Sequence, residues 1–221
     1  MKILYAVTSV FFLFCSNIIY ADGLFKWHSR NVQLLHGTTY EVGDDTRTIG
    51  TFEYANAGAY GDFFMFIDYI KPGSGASGYY SEFSTRFSLS NLSGKKLAKG
   101  LLEDVSLALA LEKPKNNDRN LLAGIGTRWS LPGFTFFNVN VYNRDNPNLP
   151  GSTEQVTIAW SRPFTIGQCA WLSEGFVDIA GGEGGAASNV LAVPRLLLDI
   201  GSLSDSIPVK KWWFGVEYSY L

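Results

Sequence analysis

The residues of this chain best placed to do chemistry occupy alternate positions of one short stretch, Gly61-Asp62-Phe63-Phe64-Met65-Phe66-Ile67-Asp68-Tyr69. Successive side chains on a β-strand point to opposite faces. Asp62, Phe64, Phe66 and Asp68 therefore share one face, and Phe63, Met65, Ile67 and Tyr69 share the other. The first face can accept hydrogen bonds and offer ring surfaces without any covalent step. The second suits hydrocarbon. Sheets of soluble proteins rarely turn two carboxylates toward a dry core, whereas a membrane barrel enclosing water presents both faces with no acid unsolvated.

Covalent chemistry finds little support. His28 and His36 are the only histidines, they share one parity on one predicted strand, and no Gly-x-Ser-x-Gly elbow accompanies them. A hydrolase using one of them with a serine stays open as an alternative, because triads assemble in space rather than in sequence. No His, Asp and Glu cluster has metal-ligand spacing. The run Gly181-Gly182-Glu183-Gly184-Gly185 lacks the Lys-Ser/Thr of a phosphate loop and reads as a flexible connection. The chain is expected to be no enzyme and to carry no catalytic residue, metal or cofactor.

The elements that must position those side chains begin with a leader. Met1-Lys2, an apolar run from Ile3 to Ile19, and Tyr20-Ala21 before Asp22 make residues 1–21 a secretory signal peptide. The alternative is a transmembrane anchor, for which the run is slightly short. Cys15 follows Phe14, too bulky for a lipoprotein cleavage box. Loss of Lys2 would move the net charge from −2 to −3, which argues against nucleic acid as a partner. Cys169 would remain alone, so no intramolecular disulfide is expected and the fold must rest on its sheet. No later apolar run approaches the ~20 residues of a helical span, so any membrane crossing is made by strands.

Residues 22–221 read as one such unit. Alternating segments recur at 27–38, 47–58, 61–70, 79–90, 101–112, 120–130, 134–144, 153–164, 168–180, 189–200 and 210–221. That pattern is the cumulative signature of an antiparallel transmembrane β-barrel, all-β in class. Tight connections at 58–61 and 131–133 contrast with longer ones at 72–78, 114–119, 143–152 and 181–188, the rhythm of short periplasmic turns and long outer loops. Trp27, Tyr40, Tyr60, Tyr79, Trp129, Tyr142, Trp160, Trp171, Trp212, Trp213 and Tyr220 fall at or near strand ends, where interfacial aromatics belong. A β-sandwich, which also uses aromatics, is the alternative.

The segment Gly61 to Asp68, then Glu82-Phe83-Ser84-Thr85-Arg86-Phe87-Ser88-Leu89, Gly124-Ile125-Gly126-Thr127, Asn140-Val141-Tyr142, Trp160-Ser161-Arg162-Pro163-Phe164 and Gly175-Phe176-Val177-Asp178 follow one another in an order and spacing similar to one family. Over residues 27–180 the chain resembles the Tsx/OmpK family of nucleoside-specific channel-forming outer-membrane proteins. The resemblance implies a twelve-stranded barrel in the Gram-negative outer membrane, folded by the barrel assembly machinery, monomeric, surrounded by outer-membrane lipid, and acting as a porin-like channel for nucleosides or similar small solutes. Eleven segments and the ending Tyr218-Ser219-Tyr220-Leu221 depart from the twelve strands and terminal aromatic residue of that family.

For such a solute, Phe64, Phe66 and Phe176 would stack the base, and Asp68, Glu53 and Asp178 would accept hydrogen bonds from the ribose. Arg86 and Arg128 would hold nearby acids, with Glu82 among the bracing charges. Plain wall packing is the alternative for Phe64 and Phe66, and structural bracing for Glu53, Glu82, Arg86 and Arg128. A narrow structural or surface-recognition barrel, including a phage attachment site, is the rival to transport.

Overall fold

A computed structural model describes residues 25–40, 43–115 and 119–221. The expected leader, residues 1–21, lies outside the described residues, as does part of the connection expected at 114–119. The alternation that marks the sequence becomes eleven antiparallel strands in one sheet, ordered as they occur in the chain. They are β1 Phe25–Gly37, β2 Arg47–Gly58, β3 Gly61–Pro72, β4 Gly78–Ser88, β5 Leu102–Pro114, β6 Asn120–Trp129, β7 Phe136–Asp145, β8 Thr153–Ile166, β9 Cys169–Ala180, β10 Asn189–Asp199 and β11 Trp213–Glu217. Helix is confined to α1, Leu89–Ser93, and a 3-10 turn, Ile200–Leu203. The Ser88 side chain caps α1 by accepting from the Asn91 amide, and Gly94 ends it in the left-handed conformation at φ 66°. No helix among the described residues is long and apolar enough to cross a membrane.

The sheet coils until strands near its two edges meet through side chains. Leu35 of β1 and Leu197 of β10 form one buried cluster, packed by Ile49, Leu172 and Trp213. The backbone does not complete the circle: among the described residues no ladder joins β1 to β11. Past Glu217 the chain stays beside β10, with Tyr218 N donating to Pro194 O at 3.0 Å and Ala192 and Tyr220 exchanging a pair of bonds at 2.9 Å. The last expected strand is therefore present, its ladder interrupted at Pro194 after the five residues of β11 but resumed in the same register at Tyr220.

Connections alternate between two rims, as they must in a meander. One rim carries the connections that follow β1, β3, β5, β7 and β9, including described residues 38–40, 43–46, 73–77, 146–152 and 181–188. The other carries the tight turns Ala59-Tyr60 and Gly167-Gln168, but also 89–101, 130–135 and 200–212. The expected contrast of long loops on one rim and short turns on the other thus holds only in part, because α1 and the 3-10 turn each cap a long connection on the tight rim. All six tryptophans lie at strand ends or strand halves nearest that second rim.

Strands β6 and β7 approach each other closely at Gly124. A Cβ built on Gly124 would stand 1.9 Å from the Val141 carbonyl oxygen, so the two strands approach too closely there for any side chain. Tyr142, the cross-strand partner of Gly124, is buried with Ala108 and Leu122. Gly124→Val is expected to cost about 1–3 kcal/mol through overpacking, read as a lowered urea midpoint of the folded protein.

Candidate functional site

Register decides which side chains face inward. Asn31, Glu53, Phe66, Glu82, Glu112 and Asn120 are successive cross-strand partners from β1 to β6. From the other end, Glu217, Arg195, Glu174, Ser161 and Phe136 form a second belt from β11 back to β7. The two belts join inside the curl. The Nη1 of Arg195 lies 2.7 Å from Glu53 Oε1 and 3.8 Å from Glu174 Oε1, and its Nε donates to Glu217 Oε2 at 2.7 Å. Glu53 Oε2 accepts from Asn31 Nδ2 at 2.9 Å, and Gln33 Nε2 in turn donates to Asn31 Oδ1 at 3.0 Å.

A second polar knot lies toward the opposite wall. Glu112 accepts from Asn120 Nδ2 at 2.6 Å, from Arg144 Nη2 at 3.2 Å and from Gln155 Nε2 at 3.5 Å. Buried Glu183, from the glycine-rich connection after β9, reaches Arg144 at 3.7 Å and accepts from the Asn146 amide at 2.8 Å. That segment is folded over the interior rather than extended away from it.

The two faces have opposite chemistry. Inward-facing Gln33, Thr51, Glu53, Glu112, Gln155, Asp178 and Glu217 are buried polar groups, Gln33 being only 1% exposed. Outward-facing Val32, Leu34, Phe52, Ile125, Val141, Ile179 and Val216 are exposed hydrophobics, Val141 being 51% exposed. A water-soluble sheet would hide the second set and wet the first.

Each residue expected to stack, accept a hydrogen bond or brace lies on the inward face by register, whereas His28 and His36 have the outward parity of β1. Phe64 and Phe66 stand 6.1 Å apart, and Phe66 is 5.8 Å from Tyr80, so three rings form a ladder on β3 and β4. Phe64 keeps 38% of its surface exposed. Asp68 accepts from Thr51 Oγ1 at 2.5 Å, and Asp178 from Thr157 Oγ1 at 2.5 Å. Glu82 accepts from the Tyr80 hydroxyl at 2.6 Å. Phe176 and Asp178 sit on β9, away from the ladder, with Phe176 between Ala159 and Val193. Arg86 makes a two-pronged pair with Asp62 at 2.9 and 2.6 Å, and Arg128 meets the more exposed Glu103 at 3.3 Å. Both arginines thus brace acids, though neither holds Glu82. Glu53 is engaged at both oxygens, which is the bracing arrangement.

Sequence reading missed Arg195, Glu217, Glu112, Arg144 and Tyr80. The parity was available: Leu191, Val193, Arg195, Leu197 and Asp199 alternate along β10, and Tyr80 shares the face of Glu82. Among the described residues no group of three or more His, Cys, Asp or Glu side chains could hold a metal ion.

At the rim, Asp44 fastens two connections. Its Oδ1 accepts from the Thr46 amide at 3.0 Å, and its Oδ2 from the Ser74 amide at 2.9 Å and from the Ser74 hydroxyl. Arg47 donates to the Asp44 carbonyl at 3.0 Å and lies 4.5 Å over the Tyr40 ring.

These features define an all-β protein, a curled antiparallel sheet with a charged interior and an apolar exterior. No protein-family model matches the chain, and no curated protein matches it.

Two outcomes are expected. Arg195→Met leaves Glu53, Glu174 and Glu217 facing one another with no shared cation, and should cost about 3–5 kcal/mol in chemical unfolding, whereas adding Glu53→Gln to it should recover part of the loss. Hydrogen bonds from Ser74, then Thr46, hold the Asp44 carboxyl below the usual carboxylate range. A depressed group stabilises above its unfolded value and loses that contribution as pH falls through the folded one. The clasp between 38–46 and 73–77 should therefore survive mild acid and loosen only below the usual carboxylate range, seen as faster amide exchange at Ser74, and Asp44→Ala should loosen it at every pH.

Proposed function

We propose that this chain is an outer-membrane β-barrel that lets nucleosides or similar small polar solutes pass by facilitated diffusion. The carrying observation is the inverted polarity of the sheet, with charged and amide side chains buried inside and Val, Leu, Ile and Phe exposed outside on strand after strand. Hydrocarbon is the solvent in which that arrangement has no hydrophobic cost. Tryptophans gathered toward one rim fit an interfacial belt. The resemblance to the Tsx/OmpK family supplies the solute class. Phe64, Phe66 and Tyr80 would offer successive ring faces, and Asp68 and Glu82, each already taking one hydroxyl proton, retain acceptor sites for a sugar.

One observation favours a second reading. Arg195 crosses to Glu53, and Tyr142 lies buried over the small residues of β5 and β6. Side chains that cross the interior would make a filled, structural or surface-recognition barrel.

Purified protein refolded into liposomes separates the two. Swelling in isosmotic nucleoside, slowed in Phe64→Ala and Phe66→Ala, is expected for the channel. Stacking contributes about 1–3 kcal/mol per base, so each substitution should weaken nucleoside block of conductance by about fivefold to a hundredfold. Inserted protein that passes neither nucleosides nor ions would leave the filled barrel.

A further inference from the structure

The outer wall near the tryptophan-rich rim holds a cation with no carboxylate partner among the described residues. Arg162 lies on β8 between inward-facing Ser161 and Pro163, so its side chain leaves on the apolar face beside Trp160 and Phe164. Its cross-strand partner on β9 is Ser173, and Phe134 approaches from the other side. Together these residues line a groove of about 280 Å³. The guanidinium carbon stands 5.5 Å from the centre of the Phe134 ring. Trp160 Nε1 donates to Ser173 Oγ at 3.4 Å, which aims the indole along the groove.

Among the described residues no carboxylate lies within ion-pair distance of Arg162, and its guanidinium donates no hydrogen bond. The contrast with the groove at the other rim is instructive: there Lys115 donates to the Ser77 carbonyl and is satisfied within the protein. An arginine on a lipid-facing wall is costly at mid-depth and cheap only near the interface, where its fork can reach a planar anionic partner. Phosphate is that partner, because two parallel N–H donors match two of its oxygens. Apolar rings on either side would then lie against glycerol and the first methylenes of the chains.

We propose that Arg162, Trp160, Phe134, Phe164 and Ser173 form a binding groove for the phosphate of an anionic membrane phospholipid, in the leaflet at the tryptophan-rich rim. This rests on the reading of the chain as membrane-inserted. The phosphate is bound by Arg162 on the outer wall, independently of any solute in the interior.

The test uses the whole folded protein in dodecylmaltoside, with retained dioleoylphosphatidylglycerol counted by native mass spectrometry. The wild type should hold one such lipid at least tenfold more tightly than Arg162→Gln, with Arg162→Lys in between because an ammonium cannot form the paired fork. Dioleoylglycerol, which has no phosphate, should not compete. Equal retention by wild type and Arg162→Gln, or competition by dioleoylglycerol, would overturn the site. Displacement by millimolar inorganic phosphate alone would reassign it to free phosphate and overturn the lipid. Both variants should show wild-type heat-modifiable mobility, and Trp160→Leu, which spares the cation, should weaken retention less than Arg162→Gln. Protein that stays out of micelles and vesicles would sink the membrane reading with it, whereas inserted protein with unchanged lipid binding would sink this inference alone.

Discussion

The contact between Arg195 and Glu53 is the interaction on which the rest of this architecture turns. A meander of eleven strands has two edges, and each edge bears a row of peptide groups that want partners. Among the described residues no ladder joins β1 to β11, so the sheet is not closed and its two ends are linked only by side chains that reach across the interior. One guanidinium gathers carboxylates from β2, β9 and β11. The apolar contact of Leu35 with Leu197 supports it from the adjoining level. Removing a charge from such a buried cluster leaves the others uncompensated, which makes the seam an all-or-none feature.

The inverted polarity of the wall follows from the same geometry. Once the sheet curls, one face of every strand looks inward, and period-two alternation delivers Gln33, Glu53, Glu112, Gln155, Asp178 and Glu217 there together. Buried acids then accumulate: Glu53 of β2, Glu82 of β4 and Glu112 of β5 stand at one level, with Phe66 of β3 between the first two. Their satisfaction is collective. Arg144 reaches Glu112 and Glu183, Tyr80 reaches Glu82, and Thr51 and Thr157 each reach an aspartate. The ring ladder of Phe64, Phe66 and Tyr80 is the part of this interior least committed to bracing, and Phe64 is its most accessible member.

The strand plan was readable because alternation in a two-faced sheet is a local property, visible without knowing any partner. Hence Phe64, Phe66, Asp68, Glu82 and Asp178 could be assigned to a face before any fold was known. Pairing across the curl was not readable. That Arg195 meets Glu53 depends on how far the sheet winds, a global quantity that no stretch of ten residues encodes. The connection 89–101 shows a second limit. The strand expected over 79–90 stops at Ser88, whose side chain instead caps a short helix that Gly94 ends, on the rim that also carries the tightest turns.

An odd number of strands sends β1 and β11 in the same direction along the wall, so that β1 starts at one rim and β11 finishes at the other. Circular permutation, which in an even meander needs only a hairpin between neighbouring ends, would here demand a linker as long as the wall is tall. Such a linker laid along the seam in extended form could hydrogen-bond to both free edges at once. Antiparallel to each of its neighbours, it would complete an even cylinder.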